Sequence, residues 1–175
     1  LNDGCQIKKD GILLTTINAT EIYEFEITNN PEIQVVVEVA GGCGVILDVL
    51  KTAIKNKKHI VTANKELLAK HGAEVFDLAK EYGTTILYEA AVAGGIPIIN
   101  ALKNALRANE FTRVAGIVNG TTNYILTKME HDGISYSECL KRAQELGYAE
   151  ADPTGDVEGF DTMYKIATLA NIVFH

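Results

Sequence analysis

Apolar positions in this chain change period as it runs, from continuous runs to spacings of three and four and back again. Residues 34–40, QVVVEVA, form a β-branched run without alternation, the pattern of a strand buried on both faces. HIVTA (59–63) and TTILYEA (84–90) repeat it. Between these runs VILDVLKTAIKNK (45–57) has helical spacing. Leu67, Leu68, Val75, Phe76 and Ala79 then keep i, i+4, i+8 order behind Asn64, a residue suited to capping a helix. Strand, helix, strand, helix, strand with short loops predicts parallel βαβ units, hence a doubly wound α/β sheet. Ahead of it, GILLTT and IYEFEI predict weaker strands, with NDG and TNNP as turns.

After Glu89 the rhythm changes. AVAGGIP (91–97) is a Gly-rich turn, IINALKNALRA (98–108) a helix and FTRVAGIVN (111–119) a strand. NGTTNYILTKM (119–129) opens a further helix behind the caps Thr121 and Thr122, and SYSECLKRAQELG (135–147) another. The change places a domain boundary near Glu89 to Gly95, dividing the chain into 1–91 and 92–175, the second part reading as α+β. No internal repeat or low-complexity segment interrupts either part.

Charge concentrates in residues 143–165, AQELGYAEADPTGDVEGFDTMYK. Glu150, Asp152 and Asp156 lie where Pro153 and Gly155 prevent a continuous helix. From Val157 the spacing Val157, Phe160, Tyr164, Ala167, Ala170 predicts a buried helix whose charged residues, Glu158, Asp161 and Lys165, form one short stripe. A surface pair between Asp161 and Lys165 would contribute only about 0.3–0.5 kcal/mol. Several carboxylates gathered around one lysine at a loop–helix junction favour a cleft instead, because an unpaired buried charge is costly.

Composition narrows the classes. At 175 residues the chain can bury one core or two small ones, and its 47% apolar and 22% charged content is that of a globular protein. A net charge of -7 argues against nucleic acid or an anionic membrane as partner. The basic run Lys55, Lys57, Lys58 follows a helix and reads as a complement to its C-terminal dipole. Cys5, Cys43 and Cys139 are widely spaced and form no CxxC, which fits a reducing cytoplasm. They make no metal cluster with the four histidines, and no apolar run reaches the roughly 20 residues needed to span a bilayer. The first residue is not Met, and the last apolar run, IATLANIVF, has neither a Gly cap nor a polar tail, so a piece of a longer polypeptide is expected.

Four further places invite a ligand. Gly41-Gly42-x-Gly44, between strand and helix, could cradle a phosphate, but it is not GxGxxG, and such a pattern is more often a tight strand–helix turn. Lys65 stands in the first turn of a helix, against the dipole, and at a strand's carboxyl end, where open α/β sheets form their sites. Glu89 precedes a flexible Gly turn, and Asn119-Gly120-Thr121 could be a plain helix cap.

Ala143, Gly147, Tyr148, Ala149, Asp152-Pro153, Asp156-Val157, Gly159, Asp161 and Lys165 together resemble the signature of homoserine dehydrogenases. VVVEVAGG, VTANKELLA, EAAVAGGIPII and GIVNGTTNYIL extend the resemblance in that family's order, over nearly all of the chain after residue 30. It implies part of a Rossmann-type NAD(P)-binding domain with its glycine fingerprint upstream of Leu1, followed by part of a substrate and dimerisation domain. NAD or NADP is the implied cofactor, contacted by Lys65, Gly41, Gly42 and Asn119. Homoserine, or aspartate semialdehyde in reverse, is the implied substrate, held by Glu150, Asp156, Asp161, Thr121 and Gly120. Lys165 is then the acid/base group, with Lys65 its competitor. Glu89 and the carbonyls of Val92, Gly94 and Ile96 would hold a monovalent, sodium-like cation. The resemblance also implies a homodimer or higher homo-oligomer serving threonine and methionine biosynthesis. Another NAD(P)-linked amino-acid or semialdehyde dehydrogenase of the same plan remains open, as does a non-catalytic oligomerisation or binding fragment.

Overall fold

Described in the computed structural model are residues 6–9, 12–15 and 27–174, and the chain falls into two units, Leu1–Tyr88 and Glu89–His175. In the first unit β1 (Gln6–Lys9) and β2 (Ile12–Thr15) pair antiparallel. The expected strand GILLTT is therefore present, and QIKK is a partner that its weak alternation did not announce. Residues 22–26 of the expected strand IYEFEI lie outside the described residues, and Ile27 belongs to a helical segment, α1, described over 27–29.

The rest of this unit is β3 (Val35–Glu38), α2 (Gly44–Lys55), β4 (His59–Thr62), α3 (Lys65–Tyr82) and β5 (Ile86–Leu87). The strands are parallel in the order β3-β4-β5, with Val36 opposite Ile60 and Ile60 opposite Ile86. That is the α/β sheet the alternation of elements predicts. The side chains on one sheet face, Val36, Ile60 and Ile86, are buried against the inward residues Leu50, Ile54 and Leu67 of the two helices. Each full burial of this kind stabilises by about 1.5–3 kcal/mol. The opposite face departs from the expectation of burial on both sides: Val35, Val37 and Leu87 are 48%, 60% and 59% exposed. No described helix of the unit covers them. Lys58 departs too. Rather than complementing the α2 dipole it is 3% exposed, and its ammonium donates to the carbonyls of Asn30 (2.5 Å) and Ile33 (2.6 Å).

The second unit starts with a 3-10 turn, Glu89–Ala91, and the helix α4 (Ile98–Asn100), which continues as a π-turn over Ala101–Ala105. α5 (Gly120–Asp132), α6 (Tyr136–Glu145), the single turn α7 (Thr154–Val157) and α8 (Phe160–Val173) follow. Ile125, Cys139, Ala143 and Ala149 make a small core between α5, α6 and the loop after α6. Three expectations are corrected here. FTRVAGIVN is not a strand, because no described strand in this unit offers it a hydrogen-bonding partner. The cap of α5 is Asn119, whose Oδ1 accepts the Thr122 N–H at 2.8 Å, not Thr121 or Thr122. The last helix starts at Phe160, not Val157, because Gly159 turns left-handed (φ 82°) and separates it from α7.

Candidate functional site

In the first unit, the carboxyl ends of β3 and β4 are tied by one acid that sequence reasoning did not single out. Glu38 closes β3 and is 6% exposed. Its Oε1 accepts the N–H groups of Ala40 (2.8 Å) and Gly41 (3.0 Å), and its Oε2 accepts the Thr62 hydroxyl at 2.6 Å. Thr62 Oγ1 in turn accepts the Asn64 N–H at 2.9 Å. Asn64 then joins two loops: its Nδ2 donates to the Gly42 carbonyl at 2.7 Å, while its Oδ1 caps α3 on Leu67 N–H at 3.0 Å. Gly41 and Gly42 are glycine for their conformation (φ 80° and 76°), since a Cβ at either would meet nothing within 4 Å. The Gly41 N–H points back to Glu38 and the Gly42 carbonyl is taken by Asn64, so this turn is built as a strand–helix connection. Lys65 opens α3 directly after this network, half-buried.

The second unit holds an open cleft of about 580 Å³, into which Asn119, Gly120, Thr121, Tyr148, Asp156, Asp161 and Lys165 converge. α8 brings Asp161 and Lys165 onto one face, four residues apart. The Lys165 ammonium donates to Asp161 Oδ2 at 2.6 Å and to the Val118 carbonyl at 2.8 Å, with the two side chains 17% and 11% exposed. Asp156, from α7, is joined through Asn119: its Nδ2 donates to Asp156 Oδ1 at 2.7 Å and to Asp161 Oδ2 at 2.9 Å. Thr121 Oγ1 lies 2.9 Å from Asp156 Oδ2 and 2.7 Å from the Tyr148 carbonyl.

Other acids of the segment stay outside. Glu150 is exposed, and only its carbonyl is engaged, by Gln144 Nε2 at 3.1 Å. Asp152 turns back on Thr154, whose hydroxyl and amide hold its carboxyl below the ordinary value. Glu158 is exposed beyond α7. At the start of the unit Glu89 grips α4 with both oxygens, accepting N–H groups of Ile99 and Asn100 at 2.8 Å each. The turn that follows holds Ala93 and Gly94 at φ 62° and 56°, and the Ile96 carbonyl accepts Ile98 N–H at 2.8 Å. Each of these oxygens keeps a second lone pair, so the hard-oxygen set suits a small cation while already serving the turn.

Two family descriptions match the chain one after the other: the NAD-binding domain of homoserine dehydrogenase over residues 15–89, and homoserine dehydrogenase over 97–175. The chain belongs to the homoserine dehydrogenase family. The homoserine dehydrogenase of Pseudomonas aeruginosa is 51% identical over 150 residues, 86% of this chain and 35% of that protein. The one from Bacillus subtilis is 48% identical over 167 residues, 95% of this chain and 38% of that protein. This chain thus spans little more than a third of these relatives' length. Among solved structures, a homoserine dehydrogenase from Thiobacillus denitrificans superposes with a TM-score of 0.83 at 49% identity, covering 86% of this chain and 35% of that one. A hyperthermophilic archaeal homoserine dehydrogenase solved in complex with NADPH gives 0.80 at 28% identity, covering 92% of this chain and 49% of that one.

Of the residues that the sequence assigned on the homoserine dehydrogenase resemblance, the cleft gathers Lys165, Asp161, Asp156, Thr121, Gly120 and Asn119. Glu150 is not among its lining residues. Asn119 was expected on the cofactor, whereas its side chain is spent on the two carboxylates and the α5 cap. Tyr148 and the Val118 carbonyl were missed. A backbone oxygen leaves no mark in a sequence, but the lone acid in QVVVEVA was a visible signal for Glu38.

Proposed function

We propose that the protein carrying this segment is a homoserine dehydrogenase in activity as well as family, oxidising L-homoserine reversibly to L-aspartate 4-semialdehyde. The observation that carries this reading is the linked set Asp156, Asn119, Asp161 and Lys165 in one cleft. Homoserine presents an ammonium and a hydroxyl, and the cluster offers the complement of both. Asp156 and Asp161 would take the ammonium through charge-assisted hydrogen bonds. Lys165, held by Asp161 and the Val118 carbonyl, would hold or move the proton of the reacting oxygen. Thr121 and Gly120 would line the substrate's other side, and Glu150 would close on the ammonium from the loop before α7. The nicotinamide of NAD or NADP supplies the hydride chemistry when bound.

In this reading the first unit is part of the NAD(P)-binding domain, with Lys65 and the Gly41-Gly42 turn at the sheet's carboxyl edge, where such ligands bind. The second is part of the catalytic domain. A monovalent cation at Glu89, Val92, Gly94 and Ile96 belongs to the same reading, supported by the oxygen-rich turn. So does a homodimer or larger homo-oligomer, supported by apolar side chains left open on α8, where Phe160 and Met163 are 47% and 49% exposed. Free Cys43 and Cys139, and no helix among the described residues long and apolar enough to cross a membrane, suit a cytoplasmic enzyme.

The test is NAD(P)+ reduction by a full-length protein carrying this segment, with homoserine set against serine, threonine and 4-hydroxy acids lacking the ammonium. Oxidation of homoserine alone at a useful rate is expected. Equal or faster turnover of a hydroxy acid without an ammonium would reassign the cleft to a different dehydrogenase.

A further inference from the structure

From the hydrogen bonds of its amide we infer that Asn119 is a positioning residue for the substrate-facing carboxylates and not a contact of the cofactor. This inference rests on the proposed function and names which atom organises its site.

An asparagine side chain has two N–H donors and a carbonyl with two lone pairs. All four are used. Nδ2 donates to Asp156 Oδ1 and to Asp161 Oδ2, at 2.7 and 2.9 Å. Oδ1 accepts the Thr122 N–H at 2.8 Å and lies 3.0 Å from the Thr122 hydroxyl. The residue is 6% exposed, so exchange of these partners for water is restricted. Nothing on the side chain is left to read a nicotinamide.

The geometry also requires an amide. Asp156 comes from α7 and Asp161 from α8, with the left-handed Gly159 between them. The Asn119 amide donates to both. Lys165 reaches Asp161 alone, and the Thr121 hydroxyl, with one proton, lies near Asp156 alone. A serine in place of Asn119 could cap α5 but would offer a single donor, and an aspartate could cap α5 but would offer none. Asn119 therefore bridges two like charges, anchored to the start of α5 by its cap. It acts through Asp156 and Asp161 and does not itself touch the substrate.

The test compares wild type, Asn119→Ser and Asn119→Asp in a full-length protein, with the homoserine KM, kcat and the NADPH Kd measured for each. Losing a charge-assisted hydrogen bond corresponds to about a tenfold change or more. Asn119→Ser should therefore raise the homoserine KM about tenfold, lower kcat by less, and leave the NADPH Kd within about twofold. Asn119→Asp keeps the side-chain outline and the cap, and covers the case in which the serine variant does not fold. Its three facing carboxylates should move KM the same way with NADPH affinity again retained. A weakened NADPH Kd with an unchanged homoserine KM, or no change in either, overturns the inference. A wild type inert towards homoserine overturns the proposed function and this inference with it, while an active wild type isolates the fate of Asn119.

Discussion

Lys165 and Asp161 face each other at 2.6 Å across one turn of α8, with less than a fifth of either side chain exposed. The same spacing at the surface is a weak ornament: Lys128 and Asp132 on α5 pair at 2.7 Å with about two-fifths of each exposed. What separates the two pairs is the rest of the network. Lys165 also donates to Val118, and Asp161 also accepts from Asn119. Such a lysine is fixed in direction, which a proton-handling group needs.

Removing that head group while keeping its stem should therefore abolish most turnover. Lys165→Met in the full-length protein is expected to lower kcat by about 10²–10⁴-fold, the usual contribution of a general acid or base, with NADPH affinity retained. Lys65→Met, measured beside it across pH, should instead affect cofactor affinity. If Lys65→Met removes the basic limb of the rate profile while Lys165→Met changes only KM, the roles of the two lysines are the reverse.

The carboxylates rank differently in the structure than in the sequence. Asp161→Asn strips Lys165 of its counter-charge inside the cleft and should weaken homoserine binding by about tenfold or more. Glu150→Gln acts on an exposed side chain outside the cleft lining and should raise KM less than Asp161→Asn does. Steady-state kinetics on both variants decides it; an equal or larger effect at Glu150 would mean that Glu150 carries at least as much of the ammonium's binding as Asp161.

The parallel sheet and the helices between its strands could be read from local pattern, because β-branched runs and i, i+4 spacing are themselves the physical cause of those elements. The signature acids and Lys165 could be read from their crowding. Less accessible were contacts that depend on where separate loops meet. Asn119 is 37 residues from Asp156 and 42 from Asp161 in sequence, and only the fold puts its amide between them. FTRVAGIVN shows the opposite failure. Its alternation is strand-like, yet a strand exists only with a ladder partner, which no described residue of its unit supplies.

Lys58 makes a prediction about pH. Burial pushes its pKa below the ordinary value of 10.5, and two carbonyls are its hydrogen-bond partners. Between the lowered pKa and 10.5 the unfolded chain binds a proton that the folded chain has released, so this group makes stability rise with pH through that window. Below it the cost of burying the ammonium is felt in full. The stability of wild type relative to Lys58→Met, from urea unfolding at several pH values, should increase as pH climbs towards 10. A difference that stays flat or shrinks would show that Lys58 keeps its proton in the folded state.

Glu38 should matter to stability more than an acid in a three-stranded sheet usually does. Glu38→Ala strips acceptors from the Ala40 and Gly41 N–H groups and the Thr62 hydroxyl at once. With each orphaned buried donor costing about 1–3 kcal/mol and water relieving part of it, a loss of about 3 kcal/mol is expected in urea unfolding. Glu38→Gln retains the outline and one oxygen, and should lose about half of that. A loss below about 1 kcal/mol for Glu38→Ala would mean the turn re-forms its hydrogen bonds without the acid.

That same acid bears on how this chain alone meets a dinucleotide. Pyrophosphate binding at a strand–helix turn depends on backbone N–H groups aimed outward at the helix start. Here the Gly41 N–H is turned inward to Glu38, the Gly42 carbonyl is drawn to Asn64, and the turn lacks the GxGxxG spacing that brings backbone against phosphate. Lys65 can contribute one charge, and a single charge contact gives little affinity in physiological salt. The 175-residue chain is therefore expected to bind NADH and NADPH with Kd values above about 100 μM, a free energy weaker than about 5.5 kcal/mol. Calorimetric titration of the chain with each nucleotide measures this directly. Low-micromolar binding of either would show that the Glu38-held turn opens to present its amides to the pyrophosphate.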